Sequence, residues 1–200
     1  MKKKKNTDIA DGSAAVKKSR IPMILGIIAA VLLVVLIIFI VVYFFSSKRA
    51  VKKYVKAGIS IKGGKNYFSM ILPDYVADQL RSDDKWDDMI DSYNADNADI
   101  RDDFKFTIKN ITKRIKLSDE ALDGAQIYFI EIAKKYDTKP VDLDIIKGRE
   151  FEIKLTRKDR ESKKKTTESL VVCAVKIKGN GWKIVEISAS ELEKLSREWE

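Results

Sequence analysis

One uninterrupted apolar segment constrains this chain more than any other feature of its sequence. Residues 23–45 read MILGIIAAVLLVVLIIFIVVYFF and contain no charged side chain. A helix of this length extends about 34 Å, slightly more than the hydrocarbon thickness of a bilayer. A helix that is apolar on every side is not the half-buried helix of a small soluble domain. The segment therefore predicts a transmembrane helix over residues 21–45. The expected membrane-anchor residues include Met23, Leu25, Leu33, Phe39, Tyr43 and Phe45.

A cleaved export signal is the alternative interpretation of this segment. The apolar core of such a signal is shorter, about 7 to 15 residues, and ends in a small-residue cleavage site. Here the run ends in YFFSSK, without an A-x-A pattern. Residues 1–20 and 46–65 each contain seven lysines and arginines, so the positive-inside count is tied. Long domains translocate largely regardless of charge, and a lysine-led tail is typical of an uncleaved signal anchor. We therefore expect a cytoplasmic basic tail (1–20) and an extracytoplasmic domain (46–200) at the cell membrane.

The charge balance and the single cysteine limit the partners and the compartment. The chain carries a formal net charge of +9, and the basic tail places much of the excess near anionic lipid headgroups. The lipid bilayer is thus an expected partner, and the high pI does not by itself indicate nucleic acid. Cys173 is the only cysteine, so an exported domain would depend on its apolar core. This combination favours a bacterial envelope.

The pattern of residues 46–200 predicts an α+β domain. Helical spacing is expected over residues 47–59, over one or two short helices broken at Pro73, and after a cap at Ser82. Alternation with period two begins at Phe104, with a bulge near Asn110, and Ser118 starts another helix. Further strands follow, with a bend or a bulge at Gly148, and the turn GNG, residues 179–181, joins the last two of them. A capping box of Ser190 and Glu193 begins the last helix. Adjacent late strands favour an antiparallel sheet.

Three stretches carry a resemblance to a known family: RAVKKYVKAG, KLSDEALDGAQIYF and KIKGNGWKIVEIS. Over residues 48–188 the chain resembles the lumazine-binding-like envelope proteins of Gram-positive bacteria, within the nuclear transport factor 2-like, cystatin-like superfamily. The resemblance implies a cone in which helices pack on a curved antiparallel sheet. It also implies a concave pocket suited to small molecules, although many such domains are only interaction modules.

The residue types exclude several kinds of catalytic site. Histidine is absent, which removes Ser-His-Asp triads, Cys-His pairs and histidine-based zinc sites. Cys173 lies in the apolar run VVCAV, where a buried thiol behaves as a small hydrophobic side chain. Residues 74–103 contain eleven aspartates without a glycine turn, which favours a solvated helix face over a weak cation site. We expect no catalytic, cofactor-binding or metal-binding residues.

The stretch KLTRKDRESKKKTT, residues 154–167, is predicted to be a strongly basic hairpin tip. It is either a soluble loop or a contact for a polyanion such as lipid headgroups, wall teichoic acid or an acidic partner surface. No aromatic residues interleave with its cations, so nucleic acid is not expected. The candidate polyanion contacts are Arg157, Lys158, Arg160, Lys163, Lys164 and Lys165.

Three functions remain open at the level of the sequence. The favoured one is a non-catalytic, membrane-anchored module that binds a protein or a small ligand at the cell surface. The second is a scaffold subunit of an envelope machine resembling type IV secretion or conjugation systems, supported by the layout of the chain alone. The third is a pocket enzyme with an aspartate base and tyrosine partners, as in ketosteroid isomerase.

Overall fold

The computed structural model describes residues 31–35, 37 and 46–199, and the chain divides into two units, Met1–Val41 and Val42–Glu200. In the first unit the described residues are helical, with exposed apolar side chains. The second unit contains six helices and four strands among its described residues. They are α1 (Ser47–Gly58), α2 (Gly64–Ile71), α3 (Asp74–Ser82), α4 (Trp86–Asp103), β1 (Phe104–Lys116), α5 (Asp119–Lys135), β2 (Ile145–Asp159), β3 (Lys165–Ile177), β4 (Gly181–Val185) and α6 (Ala189–Trp199).

The transmembrane component of the predicted fold requires correction. Among the described residues, no helix combines the length and the apolar character that crossing a bilayer demands. A spanning helix needs about 20 predominantly apolar residues, whereas the 18-residue helix α4 carries seven aspartates. Of the predicted anchor residues, Leu33 is helical and 58% exposed. The other five, with most of the segment 21–45 and all of the tail 1–20, lie outside the described residues.

The predicted α+β class and antiparallel sheet are confirmed. The four strands pair in the order β1-β2-β3-β4, and every pair is antiparallel. A register shift between Ile108 and Asn110 places the predicted bulge in β1. The predicted turn before β4 holds Gly179 at φ 82° and Gly181 at φ 78°, a backbone region that glycine enters at little cost. A tight hairpin turn of this kind fixes the register of β3 against β4.

The sheet buries an apolar cluster on each of its two faces. On one face, Phe151, Ile153 and Val172 contact the helices that precede β1. On the other face, Cys173 and Val175 contact α5 and α6. Because successive side chains of a strand point to opposite faces, the run VVCAV supplies both clusters at once. The central strands are therefore apolar on both sides.

Two helix caps lie at residues other than those that the sequence predicts. Ser82 is the last residue of α3 and does not cap α4, which begins at Trp86 without a side-chain cap. The end of α3 is closed by Asp84, which adopts a left-handed conformation (φ 57°), and by the Lys85 N–H, which donates to the Leu80 carbonyl. At the last helix, the capping box is formed by Ser188 and Glu191, not by Ser190 and Glu193. The Glu191 N–H donates to Ser188 Oγ (3.3 Å), and the Ser188 N–H donates to the Glu191 carboxylate (2.8 Å). Both pairs have the same spacing, and burial of Ala189 and Leu192 selects the first.

Candidate anion-binding groove

Helix α1 separates apolar from cationic side chains. Its buried residues include Val51, Tyr54 and Val55, which contact the sheet side of the domain. Four cations occupy the opposite side at spacings of three and four residues, which places them on one helical face. They are Arg49, Lys52, Lys53 and Lys56. Helix α1 is therefore held to the domain by its apolar stripe and presents a basic stripe to solvent.

The basic stripe does not stabilise the helix that carries it. Like charges three or four residues apart on a helix destabilise it by about 0.2–0.5 kcal/mol for each pair. Cations in the first turn are also disfavoured by the helix dipole, and no acidic residue lies in the first turn of α1. The arrangement therefore costs stability, and an anion bound along this face would offset that cost.

Three surface clefts follow one another from this stripe. The first cleft, about 540 Å³, is lined by the α1 cations together with Lys62 and Asn66 from the following turn and helix. The second, also about 540 Å³, shares Ser60 and Lys62 with the first and adds Arg101 and Arg160. The third, about 430 Å³, shares both arginines with the second. The shared residues join the three clefts into one continuous surface.

We call this surface the basic groove, and its lining is almost entirely cationic among its charged residues. Its ten cations are Arg49, Lys52, Lys53, Lys56, Lys62, Arg101, Lys105, Lys158, Arg160 and Lys163. They come from α1, the α1–α2 turn, the end of α4, the start of β1 and the tip of the β2–β3 hairpin. Side chains that are far apart in sequence thus line one surface.

Carboxylates do little to neutralise the groove. Asp159 is its one acidic lining residue, and its carboxylate accepts hydrogen bonds from the N–H groups of Ser162 (2.7 Å) and Glu161 (2.9 Å). These bonds, led by that from Ser162, hold the pKa of Asp159 below its usual value. With Arg49 left aside, none of the other groove cations pairs with a carboxylate within the part of the chain that the structure describes. The groove consequently keeps a strong positive charge.

The structure brings three of the six predicted hairpin-tip cations into the groove. Lys158, Arg160 and Lys163 line the third cleft. Arg157 instead lies over the ring of Phe104 (4.8 Å to the centroid) and pairs with Glu168. The remaining two predicted residues lie outside the three clefts: Lys164 is in the turn, and Lys165 is the first residue of β3.

Sequence reasoning missed the larger part of the groove. The α1 cations belong to the charged residues that flank the apolar segment, and their helical spacing opposite an apolar stripe is the signal that identifies them. Arg101 lies within the stretch 74–103, where eleven aspartates dominate the pattern. No sequence signal places it beside Arg160, because 59 positions separate them.

The predicted acidic stretch forms α3, α4 and the turn between them. Most of its aspartates are exposed, as expected for a solvated helix face. Within the described residues, no group of three or more His, Cys, Asp or Glu side chains is arranged to hold a metal ion. Cys173 is fully buried, and burial raises the pKa of its thiol to about 12. The thiol is therefore un-ionised at neutral pH.

A carboxylate that the sequence did not single out lies at the end of β4. Glu186 Oε1 accepts hydrogen bonds from the hydroxyls of Tyr54 and Tyr67, both at 2.6 Å. Tyr67 also stacks on Tyr54 and on Tyr93, with ring centroids 5.5 Å and 4.6 Å apart. Burial raises the pKa of both hydroxyls, and the nearby Glu186 carboxylate raises them further. None of the three clefts of the groove includes Glu186 in its lining.

This Tyr-Glu cluster links α1, α2 and the end of β4. Both tyrosine hydroxyls point at one carboxylate oxygen, which is the geometry of a structural crosslink between distant segments. Alternation along WKIVEIS places Glu186 in phase with Trp182 and Ile184, which contact the same apolar cluster as α1 and α2. An acid in the apolar phase of a strand is the one signal that could have located it.

The fold and the groove define the class of protein: an α+β domain with a four-stranded antiparallel sheet and an extended basic surface. Comparison of the chain with protein-family models, with curated proteins and with solved structures finds no match. The resemblance to lumazine-binding-like and nuclear transport factor 2-like proteins, and the cone that it implies, stay predictions.

Proposed function

We propose that residues 46–199 form a non-catalytic binding module that docks onto a linear polyanion through the basic groove. The observation that carries this proposal is the continuity of the three clefts, which share their cationic residues. Positive charge lining a concave surface concentrates field lines and attracts anionic partners from solution. A series of connected clefts suits an extended chain better than the flat face of a bilayer.

The distribution of charge supports a role in binding rather than in solubility alone. Solubility requires net charge but no particular arrangement of it, and cations interspersed with acids serve it well. In the groove, cations from five separate segments converge, while the aspartates of residues 74–103 gather on α3 and α4. The groove lining therefore carries ten cations against one carboxylate, and a local excess of one sign attracts anions to that surface.

The experiment measures binding of the full chain to two soluble polyanions, long-chain polyphosphate and poly-glutamate, at several salt concentrations. A triple variant, Lys52→Glu, Lys53→Glu and Lys56→Glu, reverses charge in the groove. Each lysine contact with an anion contributes about 0.2–1 kcal/mol, and each glutamate adds a repulsion of about the same size, so reversing three charges should weaken binding about tenfold or more. Binding of the wild-type chain should weaken as salt screens the charges.

The matched control reverses three exposed lysines outside the clefts. Lys109→Glu, Lys139→Glu and Lys147→Glu change the net charge by the same amount. This variant should lose less than threefold in affinity. Equal losses in the two variants would mean that net charge alone drives binding, and the proposal would fail. It would also fail if the wild-type chain bound neither polymer, or bound only anionic vesicles or an acidic protein.

A further inference from the structure

The second and third clefts of the groove meet at two arginines that come from different elements. Arg101 belongs to the last turn of α4, and Arg160 follows β2 in the hairpin turn. The Arg160 N–H donates to the Asp103 carbonyl at 2.8 Å. This backbone bond ties the hairpin turn to the end of α4. The two arginines are therefore brought together by the fold itself.

The side chain of Arg101 is oriented and partly removed from water. Its guanidinium carbon lies 4.8 Å from the centroid of the Phe106 ring, a stacking geometry that arginine favours. Burial lowers the pKa of Arg101, and the nearby charge of Arg160 lowers it further. Within the described residues, neither arginine has a carboxylate partner. Two like charges are thus held close, and Asp159, the one carboxylate that lines their cleft, forms an ion pair with neither of them.

Further donors surround this pair. Lys105, Lys158 and Lys163 line the same cleft. The Lys163 backbone is in the left-handed region (φ 59°), and its ammonium group donates to the Arg160 carbonyl. A residue other than glycine in this region carries a conformational cost. The turn thus holds a cation beside Arg160 at a position where glycine would be less strained.

We propose that Arg101 and Arg160 form a seat for one phosphate group, with the neighbouring lysines balancing its remaining charge. The two oxygens of a carboxylate lie in one plane and match one guanidinium fork. The free oxygens of a phosphate are arranged tetrahedrally, so two arginines can approach them from different directions. The ligand class is a phosphomonoester or a phosphodiester unit. This inference rests on the proposed function, because it assigns the preferred chemistry of the polyanion that occupies the groove.

The test measures the preference of the full chain for polyphosphate over poly-glutamate of matched charge. The variants are Arg101→Gln, Arg160→Gln and the double variant. Arg197→Gln is the control, since Arg197 is exposed on α6 and outside the groove. The wild-type chain should prefer polyphosphate at least tenfold, and the double variant should lose that preference while still binding poly-glutamate. Arg101→Lys should lose most of it as well, because lysine keeps the charge but not the fork.

Several outcomes separate this inference from the proposed function. If the α1 triple variant binds weakly but both arginine variants keep the wild-type preference, the seat is wrong and the groove remains. If Arg101→Lys behaves like the wild-type chain, charge alone acts at this position and the seat is also wrong. A separate arm compares soluble glycerol phosphate with vesicles of phosphatidylglycerol and of phosphatidylcholine. Arginine-dependent binding of glycerol phosphate supports a soluble source, and arginine-dependent binding confined to phosphatidylglycerol supports a headgroup.

Discussion

Gly124 allows helix α5 to lie against the backbone of α6, and replacing it with alanine should destabilise the domain. An added Cβ at Gly124 would lie 2.0 Å from the Leu192 carbonyl oxygen and 2.6 Å from the Leu192 carbonyl carbon. Those atoms belong to the main chain, so a change of rotamer cannot relieve the overlap. Alanine favours a helix interior over glycine by about 1 kcal/mol. Overpacking of a core costs about 1–3 kcal/mol, and a rigid backbone neighbour places this site at the upper end.

The expected net effect of Gly124→Ala is a loss of about 2 kcal/mol in the free energy of unfolding, the difference between these two effects. For a domain of this size, that corresponds to a fall of about 4–8 °C in Tm. Urea unfolding of the full chain, followed by far-UV circular dichroism, measures the loss. Gly58→Ala is the control, because its added Cβ would meet Tyr67 and Tyr93 only at 3.8 Å. A Gly124→Ala chain as stable as the wild type would refute the close approach of α5 and α6.

Three further predictions concern the buried polar groups. Lys183 is 3% exposed and donates hydrogen bonds to Asp74 (2.6 Å) and to the Ser69 carbonyl (3.0 Å). Asp74→Ala should therefore lower the free energy of unfolding by about 1–3 kcal/mol, because it leaves a buried charge without its partner. Adding Lys183→Met to that variant should recover part of the loss, as measured by urea unfolding. Glu186→Leu should lower the free energy of unfolding by about 2–4 kcal/mol, because two tyrosine hydroxyls lose their hydrogen-bond acceptor. Adding Tyr54→Phe and Tyr67→Phe to that variant should make the loss smaller. An unchanged loss would argue against the crosslink. The raised pKa values of these tyrosines favour their neutral form in the folded state. Their contribution to stability should therefore be constant up to pH about 10 and be lost above it, so the decline in that range should be less steep in the doubly phenylalanine-substituted chain.

Local structure in residues 46–199 follows closely from the sequence. The apolar spacing of α1, the break at Pro73, the Ser118 cap and the GNG turn all predict elements that the structure contains. These features depend on contacts within a few residues, where side-chain period and backbone preference act directly. The bulge in β1 was visible for the same reason, as a slip in the alternation near Asn110.

Where two local patterns predict the same kind of helix cap equally well, the sequence does not decide between them. Ser188–Glu191 and Ser190–Glu193 have the same spacing, and packing of Ala189 and Leu192 against α5 selects the first pair. Lys183 shows a similar limit. Lysine side chains are mostly exposed in folded proteins, yet the approach of the α3 N-terminus buries Lys183 against Asp74. Burial of a charge depends on which distant segment covers it.

Within residues 46–199, the sequence by itself determined most of the helices, strands and turns and the excess of positive charge, since each follows from neighbours along the chain. The tertiary structure alone decided where that charge converges. Lys62, Arg101 and Arg160 are far apart in sequence, and they line one surface because the hairpin turn is bonded to the end of α4 beside the α1–α2 turn. The joining of Tyr54 to Glu186, 132 positions away, was likewise set by the packing of helices on the sheet. A pattern along the chain encodes no distance between such segments, because long-range contacts form only when the apolar faces of several elements are buried together.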